Sequence, residues 1–450
     1  MSLSFKLKKG LDIRIKGVAE KILIPEVQSA LYSVKPEEFP GLIPKLRVKT
    51  GDKVSAGSPL FQDKMRPDIL FTSPVSGKVV SIIRGDRRKL LEIVIEKEGD
   101  EFIDFGMADT AGLTRAKIKK ALLISGLWPS IRQRPYHIIA DPEDVPKAIF
   151  ISGFDTAPLA PDYNFIMENS PEAFFHTGLS VLKKLTDGNI NMILNGKKNS
   201  SEFLKKTPDV EISYFSGPHP AGNVGVHIHH MDPVNKGEVV WFINIQDIIA
   251  IGRLFDEGIF EHERIVALTG SEVLKPAYYK VRSGISVSEL VKDNVKPGKL
   301  RYISGNVLTG RRIETDGCLG YYDSQFSVIP EGDYFEFFGW MSPGITKFSF
   351  SRTFLSSLIP WKNYRMDTNL HGGERAFVMT GQYERVVPMD IYPMQLLKAI
   401  LAEDIDLMEN LGIYEIAEED FALCEFICPS KIEIQSMVRK GLDLMVREMN

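Results

Sequence analysis

Little in this 450-residue chain announces a compartment or a ligand at first sight. Cysteine is scarce: Cys318, Cys424 and Cys428 are too few for a disulfide framework and fit a reducing compartment. No apolar run reaches the roughly 18 residues that a membrane-spanning helix needs. The best candidate, Val239 to Ile251, is interrupted by Asn244, Gln246 and Asp247. Excess positive charge is missing, and a formal net charge of −4 argues against a general nucleic-acid binder. A secretory apolar core is missing as well. Phe5, Leu7, Leu11, Ile13 and Ile15 interleave with Lys6, Lys8, Lys9, Arg14 and Lys16, which is the alternation of a strand. That strand reads either as a solvated edge guarded by lysine or as a face for anionic lipid or an acidic partner.

What is present begins with Gly41 to Ile83. Leu46, Val48, Val54, Leu60, Phe61, Phe71, Val75, Val79 and Ile82 follow a period of two, with turns at Gly51-Asp52, Ala56-Gly57, Ser73-Pro74 and Ser76-Gly77. Such a pattern specifies a small β sandwich. Val48 to Val54, Gly57 to Leu60 and Ser73 to Val79 resemble the biotinyl/lipoyl-like fold. The place of a carrier lysine falls near Lys64, but the stretch Lys64 to Asp68 is long and contains Pro67. A solvated hairpin lysine is therefore expected, in a module without a prosthetic group.

The remaining chain divides by pattern. Residues 1–105 read as the β domain and 106–146 as a helical connector, with a helix from Leu113 to Ser125 capped by Thr114 and ended by Gly126. Residues 147–274 alternate strand and helix as in a Rossmann-like parallel α/β domain. Its expected strands are 148–152, 191–194, 211–215, 239–245 and 264–269. One helix is expected to open at Ser170-Pro171, with Ser170 as cap, and another covers Gln246 to Glu257. Residues 275–335 read as a small α+β unit with a capping box at Ser286 and Glu289. Residues 336–450 hold a stretch rich in aromatics, including Phe337, Phe338, Trp340, Phe348, Phe350 and Trp361, with Phe335 just before it. A C-terminal helical domain follows, its helices opening at Pro393 and at a Ser430/Glu433 capping box. Dense aromatics mark core or interface.

Each candidate site has a plain alternative. Gly217-Pro218-His219-Pro220-Ala221-Gly222 follows a strand, as a phosphate loop does, but lacks the G-x-G-x-x-G spacing and loses donors to two prolines. A structural or partner-facing loop is expected. His227 and His229 share one face if that stretch is a strand, which supplies two metal ligands where three or four are needed. Cys424 and Cys428-Pro429 match the second half of a ferredoxin cysteine run whose earlier positions are Glu418 and Phe421 here, so no complete cluster site is expected. The loops carrying His371, Glu374, Arg375, Glu384 and Arg385 read as a polar network tying the tail to the α/β domain. Trp128, Arg132, Arg134, Tyr136 and His137 combine stacking surface with donors for carbonyl oxygens, a cradle for a quinone ring. The competing expectation is a proline-rich strut that packs Trp128 against a neighbouring domain.

Taken in order, Lys9-Gly10-Leu11-Asp12, Gly51 to Val54, Gly126-Leu127-Trp128-Pro129, Arg134-Pro135, Gly217 to Gly222, Ile303 to Gly310 and Cys428-Pro429 resemble the NqrA family. Its members are the A-type subunits of the Na+-translocating NADH:quinone reductases (Na+-NQR). That family is similar to the C-type subunit of Rnf complexes and to the flavin-bearing component of complex I. This chain departs from both in lacking the full cysteine run and the flavin-type glycine loop. The resemblance implies a β-grasp (SLBB-like) module over 275–335. It also implies a cytoplasmic location on the inner face of a bacterial membrane, held there by membrane-embedded partner subunits. Flavins and iron–sulfur centres then sit on those partners, none is bound by this chain alone, and quinone is the substrate of the complex. The alternatives are a stand-alone flavoprotein, an Rnf-type electron-transfer component, or a carrier modified at Lys64.

Overall fold

A computed structural model describes residues 2–106, 112–197 and 200–449. Residues 107–111 of the expected connector and the Trp340 side chain lie outside the described residues.

Two small sheets form the sandwich. Leu31–Val34, Leu90–Lys97, Gly77–Arg84 and Lys53–Val54 make one, and Pro44–Leu46, Pro59–Asp63 and Leu70–Thr72 the other. The period-two residues Leu60, Phe61, Phe71, Val75 and Val79 are all buried, and Phe61 stacks on Phe71 with centroids 4.5 Å apart. Gly51 and Gly57 turn the chain at φ of 98° and 91°, where a Cβ is strained. The leading strands sit elsewhere. Ser4–Lys6 pairs in parallel with Glu211–Ser216, and Leu23–Ile24 pairs with Ala277–Arg282. Alternation specifies a strand but not the sheet that receives it, and these two leading strands join sheets outside the sandwich.

The α/β domain has parallel strands in the order Glu211–Ser216, Asn189–Asn195, Ala148–Ser152, Val240–Asn244. The order reverses beside Ala148–Ser152, as in doubly wound folds. Arg132–Arg134 and Ile138–Ile139 extend it as an antiparallel edge. Glu172–Lys183 and Ile245–Glu257 pack together at glycines. A Cβ on Gly252 would lie 1.7 Å from the Phe174 carbonyl oxygen, and one on Gly178 would lie 2.1 Å from that of Ile248. Gly252→Ala should therefore cost about 1–3 kcal/mol through forced separation of the helices. A lowered urea midpoint with unchanged slope checks this, and an unaltered midpoint would refute it.

Two helix starts differ from expectation. Ser170 donates its hydroxyl to the Ile166 carbonyl of the preceding helix, and Pro171 takes the cap position of Glu172–Lys183. Ser286 donates to the Asp316 carbonyl, and Ser288–Val291 starts without a side-chain cap. In both places the hydroxyl is turned to a carbonyl outside the helix it is expected to cap. The Thr114 cap and the left-handed Gly126 stop are where the sequence puts them.

The second large sheet runs Arg311–Ile313, Leu300–Ser304, Gln325–Pro330, Glu263–Thr269, Ala277–Arg282, Leu23–Ile24. Glu263–Thr269, read with the α/β unit, belongs to this sheet, because an apolar strand suits either sheet until its partners are known. A buried polar cluster welds the two domains. Asp247 accepts from Arg264 (2.5 Å) and His262 (2.9 Å), and Gln246 donates to Ile265 and Ser324.

Glu38 lies where this sheet meets the sandwich and accepts from the Tyr321 amide at 2.8 Å. Burial pushes its carboxyl up to about 7, against the pull of Lys35. A carboxyl raised on folding holds its proton longer in the folded chain. Its stabilising effect is thus full below the unfolded value of about 4.5 and is lost as pH rises through about 7. Glu38→Gln should flatten that decline. Denaturation midpoints at pH 5 and pH 8 check it, and an unchanged difference between them would sink the assignment.

The tail forms a core of its own from Pro393–Leu401, Ala422–Ile427 and Ile434–Met449, with Leu397, Val438, Leu442 and Met445 buried. Ile13, Ile15 and Val226 enter this core from other parts of the chain. Ser430 does not cap the last helix; it donates to the Ala376 carbonyl. Among the described residues no helix is long and apolar enough to cross a membrane.

Candidate functional site

In doubly wound sheets a ligand belongs at the carboxyl ends of the strands, where the order reverses. Here Ser152 and Asn244 mark that point, and the chain itself fills the space. A Cβ on Gly222 would lie 2.7 Å from the Thr156 nitrogen, one on Gly217 2.9 Å from Leu7, and one on Gly10 2.2 Å from the His219 carbonyl oxygen. Asp12 accepts from the His219 amide at 3.0 Å, and Thr156 accepts from the Gly222 amide at 2.9 Å. The amides that would cradle a phosphate thus serve the N-terminal segment and the neighbouring loop. These residues do not fit a flavin or dinucleotide phosphate.

The five residues read as a quinone cradle do not share one face of the α/β sheet. Trp128 is fully buried on one face. It donates to the Ala140 carbonyl at 2.8 Å and meets Trp241 edge-on at 5.5 Å. Arg132 and Arg134, two apart on a strand, share the other face, where Phe242 lies under both guanidinium groups at 4.6 and 5.8 Å. Arg132 is also covered by Tyr322 at 4.3 Å and donates to His137 Nε2 at 2.8 Å. Burial takes the His137 imidazole down to about 3, so it is neutral and Nδ1 carries the proton, 3.4 Å from Glu418. Burial alone would raise Glu418, yet it is held down to about 2 by His137 and Arg439. The Nδ1–H of His137 acts first, and the Arg439 guanidinium at 3.1 Å adds the charge of a cation.

Arg134 is wholly buried and pairs with Glu419 at 3.1 Å and Asp420 at 3.2 Å. Asp420 also accepts from the Ala417 amide at 2.9 Å. Sequence reasoning misses the acid run Glu418-Glu419-Asp420, except as a lost cysteine position. Three carboxylates between Ile416-Ala417 and Phe421-Ala422 are the available signal, since buried charge needs partners.

Tyr136 faces a third way. It lines an open cleft of about 1730 Å³ between the sandwich hairpin at Asp63 to Arg66, the edge strands of the α/β sheet and the last helix. Tyr414 meets its ring edge-on at 6.1 Å. Lys64 is exposed on that hairpin. The geometry therefore unites Arg132, Arg134 and His137 in an ionic cluster, sets Tyr136 beside it in the cleft, and separates Trp128 behind the sheet.

The remaining candidates resolve simply. His227 and His229 lie on a helix, Val224–Met231, and not on a strand. His227 bonds the Ala221 carbonyl, His229 bonds Glu415 and the Asp390 amide, and His230 bonds the Pro388 carbonyl. Cys424 and Cys428 are buried; Tyr383 donates to Cys428 at 3.0 Å, and burial pushes the Cys424 thiol far up. Phe421 stands buried beside them. No group of three or more metal-ligating side chains occurs among the described residues. His371 and Glu374 are exposed, while the Arg385 carbonyl accepts from Gly10.

Three family models match in succession. They are an NqrA N-terminal barrel-sandwich hybrid domain over 5–98, an NqrA second alpha/beta domain over 113–260, and an NQRA C-terminal domain over 265–315. Relatives named as the A subunit of the Na(+)-translocating NADH-quinone reductase are similar over the whole length. That of Yersinia pseudotuberculosis is 42% identical, covering 98% of this chain and 99% of its own. Those of Serratia proteamaculans and Vibrio vulnificus are each 41% identical with the same coverage. A chain of the NAD+-reducing [NiFe]-hydrogenase in its air-oxidized state superposes with a TM-score of 0.38 at 9% identity. It covers 74% of this chain and 61% of that chain, and the likeness is too slight to carry an argument.

Proposed function

We infer the role of this chain from one premise: it belongs to the NqrA family, the A subunits of the Na(+)-translocating NADH-quinone reductases. It is a subunit of an oxidoreductase complex that couples electron transfer from NADH to quinone with Na+ translocation. The single observation that carries this is similarity at about 42% identity across 98% of the chain.

Within that role, the chain docks from the cytoplasmic side on membrane-embedded subunits and holds neither flavin nor iron–sulfur cluster itself. The filled crevice at Gly222 and the two lone buried thiols support this reading. A tagged chain drawn from native membranes should bring the other subunits with it. Recovery as a free species only would overturn the docking. An absorption spectrum of the pure chain should show no flavin or cluster band; a stoichiometric band would instead favour a stand-alone flavoprotein.

Quinone contact by this chain belongs at the Tyr136 side of the cleft, with Arg132 and His137 behind it. Trp128 and Arg134 act there as supports. A photoreactive quinone analogue on the intact complex should label the cleft walls; labels confined to the membrane-embedded subunits would remove the proposal.

A further inference from the structure

The stretch after the second large sheet exposes aromatics that a packed domain would bury. Phe335 is 105% exposed, Phe337 90%, and Leu358 and Trp361 each 74%. Its regular structure, among the described residues, is confined to short helical turns, Gly339–Met341 and Leu355–Leu358. Its charge is one-sided. From Phe337 to Arg365 there is no Asp or Glu, but Lys347, Arg352, Lys362 and Arg365 are present. Lys347 pairs with Glu336 and Arg365 with Glu272, which leaves Arg352 and Lys362 without a carboxylate bridge among the described residues.

The basic N-terminal segment lies against it. The Tyr364 amide donates to the Arg14 carbonyl at 2.8 Å, and the Lys16 amide donates to the Tyr364 carbonyl at 2.9 Å. The Arg14 guanidinium donates to the Pro360 carbonyl at 2.8 Å. Lys362 reaches the Ile345 carbonyl, and Lys347 bonds Glu336 at 2.6 Å, which ties the two ends of the aromatic stretch together. Arg14, Lys16 and Arg352 stay exposed, as do Trp361 and Leu358, while Lys362, next to Trp361 in the chain, is half-buried. In a chain of net charge −4 this is a local basic face with apolar tips.

Phe and Trp at the level of lipid headgroups, flanked by Lys and Arg, are what an interfacial surface requires. Anionic headgroups attract such cations within a Debye length. We propose that residues 335–362, together with the strip Arg14–Lys16, form a surface that rests directly on an anionic phospholipid bilayer. The charge decides for lipid over a protein partner: within 335–362 the one carboxylate, Glu336, is taken up by Lys347, and Arg352, Lys362, Arg14 and Lys16 are left to complement a uniformly negative plane. The proposal goes beyond attachment through partner subunits, because it concerns this chain alone.

The test uses the purified full-length chain with vesicles containing phosphatidylglycerol, against vesicles of phosphatidylcholine alone. Binding should be on the order of tenfold tighter to the former and should weaken with added salt. In a Trp340→Phe background, Trp361 emission should shift to the blue and be quenched by brominated acyl chains, a signal lost on adding Trp361→Phe. The buried Trp128 and Trp241 will not report. The exposed-site variant Phe335→Ser/Phe337→Ser/Arg352→Gln should keep the parent's melting temperature and lose vesicle binding. Failure of the parent chain to sediment with either vesicle overturns the proposal. So does loss of co-purifying subunits from the variant when the parent ignores lipid, which would give the face to a protein partner. Docking on the other subunits is judged separately by the pull-down from native membranes.

Discussion

Replacing Arg134 by methionine should destabilise the chain by about 3–5 kcal/mol, the cost of leaving buried charge unpaired. The guanidinium is the cation common to Glu419 and Asp420, and its side chain is 1% exposed. Without it, the buried Asp420 side chain keeps, among the described residues, only the Ala417 amide and the Asn223 side chain as donors, with no cation beside it. The loss should fall first on the seam between the α/β sheet and the tail. Limited proteolysis should then cut within the tail before the sheet opens. Adding Glu419→Gln and Asp420→Asn to Arg134→Met should restore much of the stability, since a neutral buried set carries no unpaired charge. A triple variant as unstable as the single one would show that packing, and not charge, holds the seam.

Trp128→Ala should cost a similar amount, about 3–5 kcal/mol, because it removes a large buried ring and leaves a cavity. It also strands the Ala140 carbonyl, which loses its donor. Trp128→Phe keeps most of the contact with Trp241 and should cost distinctly less. Thermal unfolding of the two variants checks the order. The two substitutions also separate packing from ligand contact. At a temperature where both variants remain folded, quinone-analogue labelling of the complex should be unchanged by either one. A labelling loss in the folded Trp128→Phe variant would place the ring in the ligand's path.

Local chemistry is legible in sequence wherever one residue type decides it. Thr114 and Gly126 delimit their helix as read, because caps and left-handed stops depend on neighbours in sequence. The sandwich is legible because its turns force glycine at Gly51 and Gly57. Hydroxyl caps fail where the side chain is turned to a carbonyl outside the helix it would cap, of the preceding helix for Ser170 and of distant residues for Ser286 and Ser430. Sheet membership fails for Ser4–Lys6 and Glu263–Thr269, since strand pattern carries no address. The helix at His227 and His229 escapes sequence reading because Val, Ile and His suit strand and helix nearly alike over a stretch so short. At the candidate site, the sequence spacing groups five residues that strand alternation then divides. Arg132 and Arg134 take one face while Trp128, before the strand, turns to the other.

The path of the first two dozen residues has a consequence for biosynthesis. Ser4–Lys6 waits for a strand made some two hundred residues later, and Leu23–Ile24 for one later still. While the ribosome is at work, the sandwich can close, but its leader must trail unpaired until most of the polypeptide has emerged. A bulky fusion ahead of Ser4 would thus disturb assembly of the distant halves, and the opposite terminus is the safer place for a handle.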